Sequence, residues 1–174
     1  SENKKTILFF GGGEFGLGKS KTVEIFDSFV SFNHDLQIIG IAGKNEKMKL
    51  AFENIVEKYN AKDRDIVLPF TDKVPELMSV STLVVTKPGG MTTTESLASH
   101  LPMIIINPIP GQEEENAEFL ESKGIGIWIK KDTDVSSLLN DLFSNSNELE
   151  TMKENTKLLA KPNSTKDICE ILLN

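Results

Sequence analysis

A glycine-rich segment near the start of the chain could bind phosphate. Gly11–Ser20 reads GGGEFGLGKS, follows an apolar run at Thr6–Phe10 and precedes a segment of helical spacing at Lys19–Ser31. A strand, a glycine turn and a helix in this order bring backbone N–H groups to the positive end of a helix, where an anion is stabilised. A loop that only needs positive φ angles and close strand–helix packing would use the same residues.

Two named motifs overlap in this segment, and each needs an acidic partner elsewhere. A phosphate-loop nucleotide hydrolase needs an aspartate at the end of an apolar strand for Mg²⁺, and a dinucleotide site needs an acid after the second strand. No predicted strand ends in an acid, so anion binding is favoured, with the hydrolase kept as an alternative. The Walker A pattern uses Gly13, Gly18, Lys19 and Ser20, the dinucleotide pattern uses Gly11, Gly13 and Gly16, and the later strand ends are Ala42, Pro69, Thr86, Asn107 and Ile129.

A second glycine turn offers another site for a diphosphate. Gly89 and Gly90 follow an apolar run at Leu83–Thr86 and precede a helical pattern at Met91–Ser99. The backbone N–H groups and threonine hydroxyls at the start of that helix could bind phosphate oxygens.

Charged side chains flank this second turn. Lys87 could offset phosphate charge, and the Glu95 carboxylate could accept hydrogen bonds from both hydroxyls of a ribose. Thr92 and Glu95 also fit a capping box, which would explain them without a ligand.

The loop Pro69–Asp72 carries a candidate base-binding residue. Phe70 is a flat aromatic side chain next to the free backbone of Thr71, and the pair could hold a planar base. The alternative is a phenylalanine that belongs to the core.

The loop Asn107–Glu115 carries polar groups suited to a sugar. Gln112, Glu113 and Asn116 begin a predicted helix, and amides and carboxylates pair well with sugar hydroxyls. A solvated acidic first turn, favoured by the helix dipole, is the alternative.

Short apolar strands alternating with helices must position these loops. This pattern predicts one α/β domain over residues 1–174, with a doubly wound, Rossmann-like parallel sheet of six strands and helices at the C-terminus. Ligands bind such sheets beyond the carboxyl ends of the strands, where all four loops lie. The predicted strands are Thr6–Phe10, Leu36–Ala42, Ile66–Leu68, Leu83–Thr86, Met103–Ile106 and Gly126–Ile129.

Composition narrows the partners and the compartment. Nineteen basic residues against 26 acidic ones give a net charge of −7, which argues against nucleic acid as a partner. The single cysteine, Cys169, lies among apolar residues and is predicted to be a buried structural thiol. With no membrane-spanning run and no leader pattern, we expect a cytoplasmic location.

The four loops together resemble the C-terminal donor-binding domain of GT-B glycosyltransferases. The resemblance runs from about Thr6 to Gly126 and is closest to the monogalactosyldiacylglycerol synthases and the processive diacylglycerol glucosyltransferases. The peptidoglycan N-acetylglucosaminyl transferase is similar but more distant. The residues that carry the resemblance are Gly11–Glu14 with Gly16, Phe70 with Thr71, Thr86–Gly90 through to Glu95, and Pro110–Glu113 with Asn116.

The resemblance implies a role for each part of the site. Phe70 and Thr71 would hold uracil, Glu95 would bind the ribose hydroxyls, and the helix that begins at Met91 would stabilise charge on departing UDP. The diphosphate and the donor sugar would contact two further groups. The diphosphate group is Gly12, Gly13, Gly90, Met91 and Thr92, with Lys87 close by, and the sugar group is Gln112, Glu113 and Asn116.

The resemblance also implies a reaction. It is the inverting, metal-independent transfer of a hexose from UDP-sugar to diacylglycerol, with no cofactor. We expect an N-terminal acceptor domain outside this chain to bind the lipid and carry the general base, so no catalytic residue is expected within 1–174. The full-length enzyme would then be peripheral at the membrane. The alternative is a stand-alone UDP-GlcNAc transferase subunit that joins a membrane partner, as in the split N-glycan N-acetylglucosaminyl transferase.

Overall fold

Strands and helices alternate along the chain in the order that the sequence predicts. The computed structural model describes residues 4–12, 19–32, 36–144 and 146–173. The strands in these ranges are β1 (Lys5–Phe10), β2 (Leu36–Ile41), β3 (Ile66–Leu68), β4 (Leu83–Thr86), β5 (Met103–Ile105) and β6 (Gly126–Trp128). The helices are α1 (Lys19–Ser31), α2 (Glu46–Lys58), α3 (Val74–Ser79), α4 (Gly90–Ala98), α5 (Gln112–Ser122), α6 (Val135–Ser144), α7 (Ser146–Leu159) and α8 (Ser164–Leu173).

The six strands form one parallel sheet in the order β3-β2-β1-β4-β5-β6. The chain runs outward from β1 to β3, returns to place β4 beside β1, and continues outward to β6. The reversal between β1 and β4 opens a crevice at the carboxyl ends of the strands. The predicted doubly wound sheet with C-terminal helices is confirmed.

Backbone hydrogen bonds continue the sheet past the ends of its strands. Gly11 N–H donates to Ile41 O at 2.8 Å, and Ala42 N–H donates to Leu68 O at 2.9 Å. On the other side of the crevice, Ile106 N–H donates to Thr86 O at 3.0 Å. The loops that follow β1 to β5 therefore leave from one continuous, hydrogen-bonded edge.

Two apolar clusters cover the two faces of the sheet. Ile7 and Phe9 of β1 pack with α1 and α2 on one face, and Leu8 faces the opposite cluster beneath α3 and α5. The rings of Phe26 and Phe52 stack at 3.8 Å between centroids, directly over β2. Residue alternation in β1 thus buries both of its faces, as a central parallel strand requires.

The packing over β2 explains Gly40. A Cβ placed on Gly40 would lie 2.9 Å from Phe26 Cε2 and 3.3 Å from Phe52 Cδ2, so the stacked rings occupy the space of any side chain. The glycine lets helices α1 and α2 pack closely on β2, the neighbour of β1 at the crevice.

The prediction for Cys169 is wrong. Its thiol is exposed, and α8 buries none of its described residues. Apolar spacing along 164–173 correctly indicates an amphipathic helix. It does not determine whether another element covers the apolar face.

Candidate functional site

The loops after β1 to β5 converge on one open cleft of about 350 Å³ at the carboxyl edge of the sheet. A volume of this size is at the small end of the range for ligand sites. The cleft lies over the β1–β4 reversal, where doubly wound sheets bind ligands. Its lining residues are Phe10, Gly12, Ile41, Gly43, Phe70, Thr71, Val74, Thr86, Lys87, Gly89, Thr92 and Glu113.

The first and second glycine turns meet in the middle of this cleft. Gly12 has a φ of 93°, and a Cβ placed on it would lie 4.0 Å from Lys87 Cε. The backbone at Gly12 can adopt this angle without strain because it lacks a side chain. Gly13 and the rest of 13–18 lie outside the described residues, and so do most of the Walker A and dinucleotide patterns.

Helix α4 begins at the cleft without a side-chain cap. Its N-cap is Gly89, in an extended conformation with a φ of −69°, and the N-cap makes no side-chain hydrogen bond to the first turn. The first backbone N–H groups of a helix have no partner within the helix. Thr92 lines the cleft beside them, so backbone donors and one hydroxyl face the same space.

The capping-box explanation of Thr92 and Glu95 is therefore wrong. The helix starts earlier than the box requires, since Gly89 rather than Thr92 occupies the N-cap. Neighbouring hydroxyls serve the helix itself: Thr94 donates to Gly90 O at 2.8 Å, and Ser96 donates to Thr92 O at 2.7 Å. Thr92 and Glu95 are left without the local structural role that the pattern indicated.

Lys87 supplies positive charge at the centre of the cleft. No described carboxylate lies within ion-pair distance of its ammonium group. A half-buried lysine with no described carboxylate in reach favours an anionic ligand, because a nearby negative charge offsets the cost of partial desolvation.

One end of the cleft contains Phe70 and Thr71. Phe70 is 63% exposed, so the alternative of a core phenylalanine is wrong. Thr71 Oγ1 accepts a hydrogen bond from Lys73 N–H at 3.1 Å, which fixes the loop. An exposed aromatic ring on a fixed loop is a surface against which a planar group can stack.

The opposite end of the cleft contains Glu113 and its neighbours. Glu113 Oε2 accepts a hydrogen bond from Ile109 N–H at 2.7 Å. Asn116 does not line the cleft; its side-chain amide donates to Pro88 O at 2.9 Å, which ties α5 to the turn before α4. Asn116 thus holds the two loops together.

The structure brings about half of the predicted site residues into the cleft. The lining residues among them are Gly12, Phe70, Thr71, Lys87, Thr92 and Glu113. The predicted residues outside the lining are Gly90, Met91, Glu95, Gln112 and Asn116. All of these five belong to α4 or α5, whose N-termini border the cleft.

Sequence analysis missed the turn at Gly43 and Lys44. Gly43 lines the cleft, and a Cβ placed on it would lie 3.7 Å from Gly12 O. The Lys44 ammonium lies 5.5 Å from the centroid of the Phe70 ring. A glycine and a lysine directly after the second strand were the available signal.

Within the described residues, no helix is both long enough and apolar enough to cross a bilayer.

Comparison with known proteins agrees with the fold. The sequence profile of the glycosyltransferase family 28 C-terminal domain matches residues 6–168. Processive diacylglycerol beta-glucosyltransferase from Bacillus pumilus (strain SAFR-032) is 33% identical over 170 residues, which is 98% of this chain and 43% of that relative. The chain therefore spans less than half the length of this relative.

Solved structures share the fold at lower identity. MurG from Acinetobacter baumannii superposes with a TM-score of 0.76 at 23% identity, covering 97% of this chain and 49% of that chain. A co-structure of S. aureus MnaA with UDP gives a TM-score of 0.73 at 17% identity, covering 97% of this chain and 45% of that chain. Since the profile matches nearly the whole chain, this protein belongs to the glycosyltransferase family 28 C-terminal domains.

Proposed function

We propose that this chain is the donor-binding domain of an inverting, metal-independent glycosyltransferase that moves a hexose from UDP-sugar to diacylglycerol. The observation that carries the proposal is the convergence of both glycine turns, Lys87 and Phe70 on one cleft. Each of these features suits a different part of a nucleoside diphosphate sugar.

The order of groups along the cleft matches the order of groups in the donor. Phe70 follows β3 at one end, Gly12 and Lys87 follow β1 and β4 in the middle, and Glu113 follows β5 at the other end. Uracil would stack on Phe70, the diphosphate would lie at the glycine turns, and the sugar would contact Glu113 and Gln112. Glu95 would reach the ribose from α4.

The middle of the cleft would stabilise the departing UDP. Negative charge develops on the diphosphate as the bond to the sugar breaks, and the start of α4 and the Lys87 ammonium offer positive potential there. Because a helix N-terminus and a lysine supply this charge, we propose that UDP leaves without a metal ion.

The acceptor and the stereochemistry are proposed from the Bacillus pumilus relative. Its name describes a beta-glucosyltransferase acting on diacylglycerol. UDP-glucose carries its sugar in the α linkage, so a single displacement that gives a β product inverts the anomeric carbon. The general base and the lipid site would lie in a part of the enzyme outside this chain.

Calorimetric titration with UDP, ADP and GDP, with and without Mg²⁺, tests the proposal. We expect UDP to bind most tightly and to need no Mg²⁺. Glu95→Ala should weaken UDP binding by about 10- to 100-fold, because hydrogen bonds to a charged group contribute about 1.5–3 kcal/mol. Glu118→Ala, an exposed carboxylate on α5, is the control and should bind UDP as the wild type does.

Two results would count against the proposal. Equal affinity for the three nucleotides would show that the cleft does not select uracil. Binding of ADP or GDP that is tighter than that of UDP and depends on Mg²⁺ would favour the phosphate-loop hydrolase instead.

A further inference from the structure

The turn after β2 lies between the Phe70 end of the cleft, proposed for the base, and its middle, proposed for the diphosphate. Gly43 has a φ of 66°, and Ala42 N–H donates to Leu68 O at 2.9 Å, which joins the turn to the strand that precedes Phe70. On its other side the turn packs near Gly12 O. The turn that carries Lys44 is thus joined to β3, which leads into the Phe70 loop.

The Lys44 side chain extends toward Phe70. Its ammonium lies 5.5 Å from the ring centroid, within the range of a cation–π contact. No described carboxylate lies within ion-pair distance of this ammonium. A cation at the face of an exposed aromatic ring remains available to a group that stacks on that ring.

We propose that Lys44 selects the nucleobase by donating a hydrogen bond to a carbonyl oxygen of uracil stacked against Phe70. This inference rests on the proposed function. An ammonium has three donors and no acceptor, so it pairs with a carbonyl and not with an amino group. Uracil presents two carbonyl oxygens at its edge, whereas adenine presents an amino group and accepts only through ring nitrogens at other positions, so Lys44 would discriminate uracil from adenine.

Lys44 and Lys87 differ in position and hence in role. Lys87 lies beside the Gly12 turn, at the place proposed for the diphosphate. Lys44 lies at the Phe70 ring, at the place proposed for the base. Removing Lys87 should weaken every ligand that carries a diphosphate, whereas removing Lys44 should weaken only ligands that carry uracil.

The test compares Lys44→Met with the wild type, using UDP, ADP and inorganic pyrophosphate as probes in calorimetric titrations and competition titrations. We expect Lys44→Met to bind UDP about tenfold more weakly and to bind ADP and pyrophosphate as the wild type does. Lys47→Met, an exposed lysine at the start of α2, is the matched control and should leave all three affinities unchanged. Both lysines are exposed, so thermal unfolding should show that both variants fold.

Two results would overturn the inference while leaving the proposed function in place. One is a Lys44→Met variant that retains the wild-type preference for UDP over ADP. The other is an equal loss of affinity for UDP, ADP and pyrophosphate, which would assign Lys44 to the diphosphate. A wild-type protein with no preference for UDP would instead refute the proposed function, and this inference with it.

Discussion

Replacing Lys87 by methionine tests the middle of the cleft. Methionine keeps much of the apolar stem and removes the charge. A unit charge about 4 Å from a phosphate oxygen is worth about 4 kcal/mol at an effective dielectric constant of about 20. Lys87 is half-buried at an open cleft, so hydration and salt reduce this value, and about 1.5–3 kcal/mol is the usual net contribution of such a bond. We therefore expect UDP to bind about 10- to 100-fold more weakly.

The assay is calorimetric titration at about 0.05 M and about 0.5 M salt. The affinity of the wild type for UDP should fall with salt, and that of Lys87→Met should fall less, because one charge contact is missing. Uridine, which has no phosphate, should bind both proteins equally, and Lys47→Met should behave as the wild type in every titration. Unchanged UDP affinity in Lys87→Met, or an equal loss for uridine, would refute a contact between Lys87 and the diphosphate.

Three further substitutions separate binding from stability. Phe70→Ala should lower the affinity for UDP and for uridine by about 1–3 kcal/mol. Its melting temperature should match that of the wild type, because the ring is 63% exposed. If titration shows that the variant binds both ligands as tightly as the wild type, stacking on Phe70 is ruled out. Gly40→Ala should lower the melting temperature by about 4–8 °C in a calorimetric scan. The new methyl group would press on Phe26, at a cost of about 2 kcal/mol in the free energy of unfolding. An unchanged melting temperature would show that the rings of Phe26 and Phe52 move aside freely. Asp134→Ala should destabilise the protein at neutral pH. The Ser137 N–H and then the Ser137 hydroxyl lower the pKa of Asp134, and a lowered carboxyl pKa contributes stability that is lost as pH falls through its folded value. The difference in melting temperature between the two proteins should therefore narrow as the pH falls below about 4, the ordinary pKa of an aspartate, and a constant difference would contradict this origin.

The sequence was sufficient for the sheet because its signals are repetitive. Short apolar runs such as Leu83–Thr86 and Met103–Ile105 are too short for helices and alternate with helical spacing, which leaves a parallel sheet as the consistent solution. The right-handed crossover rule then constrains the strand order. Each of these signals extends over several residues, so single-residue errors at element ends do not change the topology.

Local signals were less reliable because a single residue can fit two structures. The spacing of Thr92 and Glu95 fits a capping box, but Gly89 takes the N-cap and starts the helix three residues earlier. Phe70 carries no mark in the sequence that distinguishes an exposed ring from a buried one. Lys44 follows the strand whose end lacks the acid of a dinucleotide site, and its proximity to Phe70 arises from the pairing of β2 with β3.

The hydrogen bond from Asn116 to Pro88 links two loops that would hold different parts of one ligand. A displacement of α5 that accommodates a different hexose would pull on the turn that precedes α4. Changes in sugar preference and changes in affinity for plain UDP should therefore arise together when this helix is altered. Selectivity for the sugar and the affinity for the UDP product would then both depend on the position of α5 relative to the turn before α4.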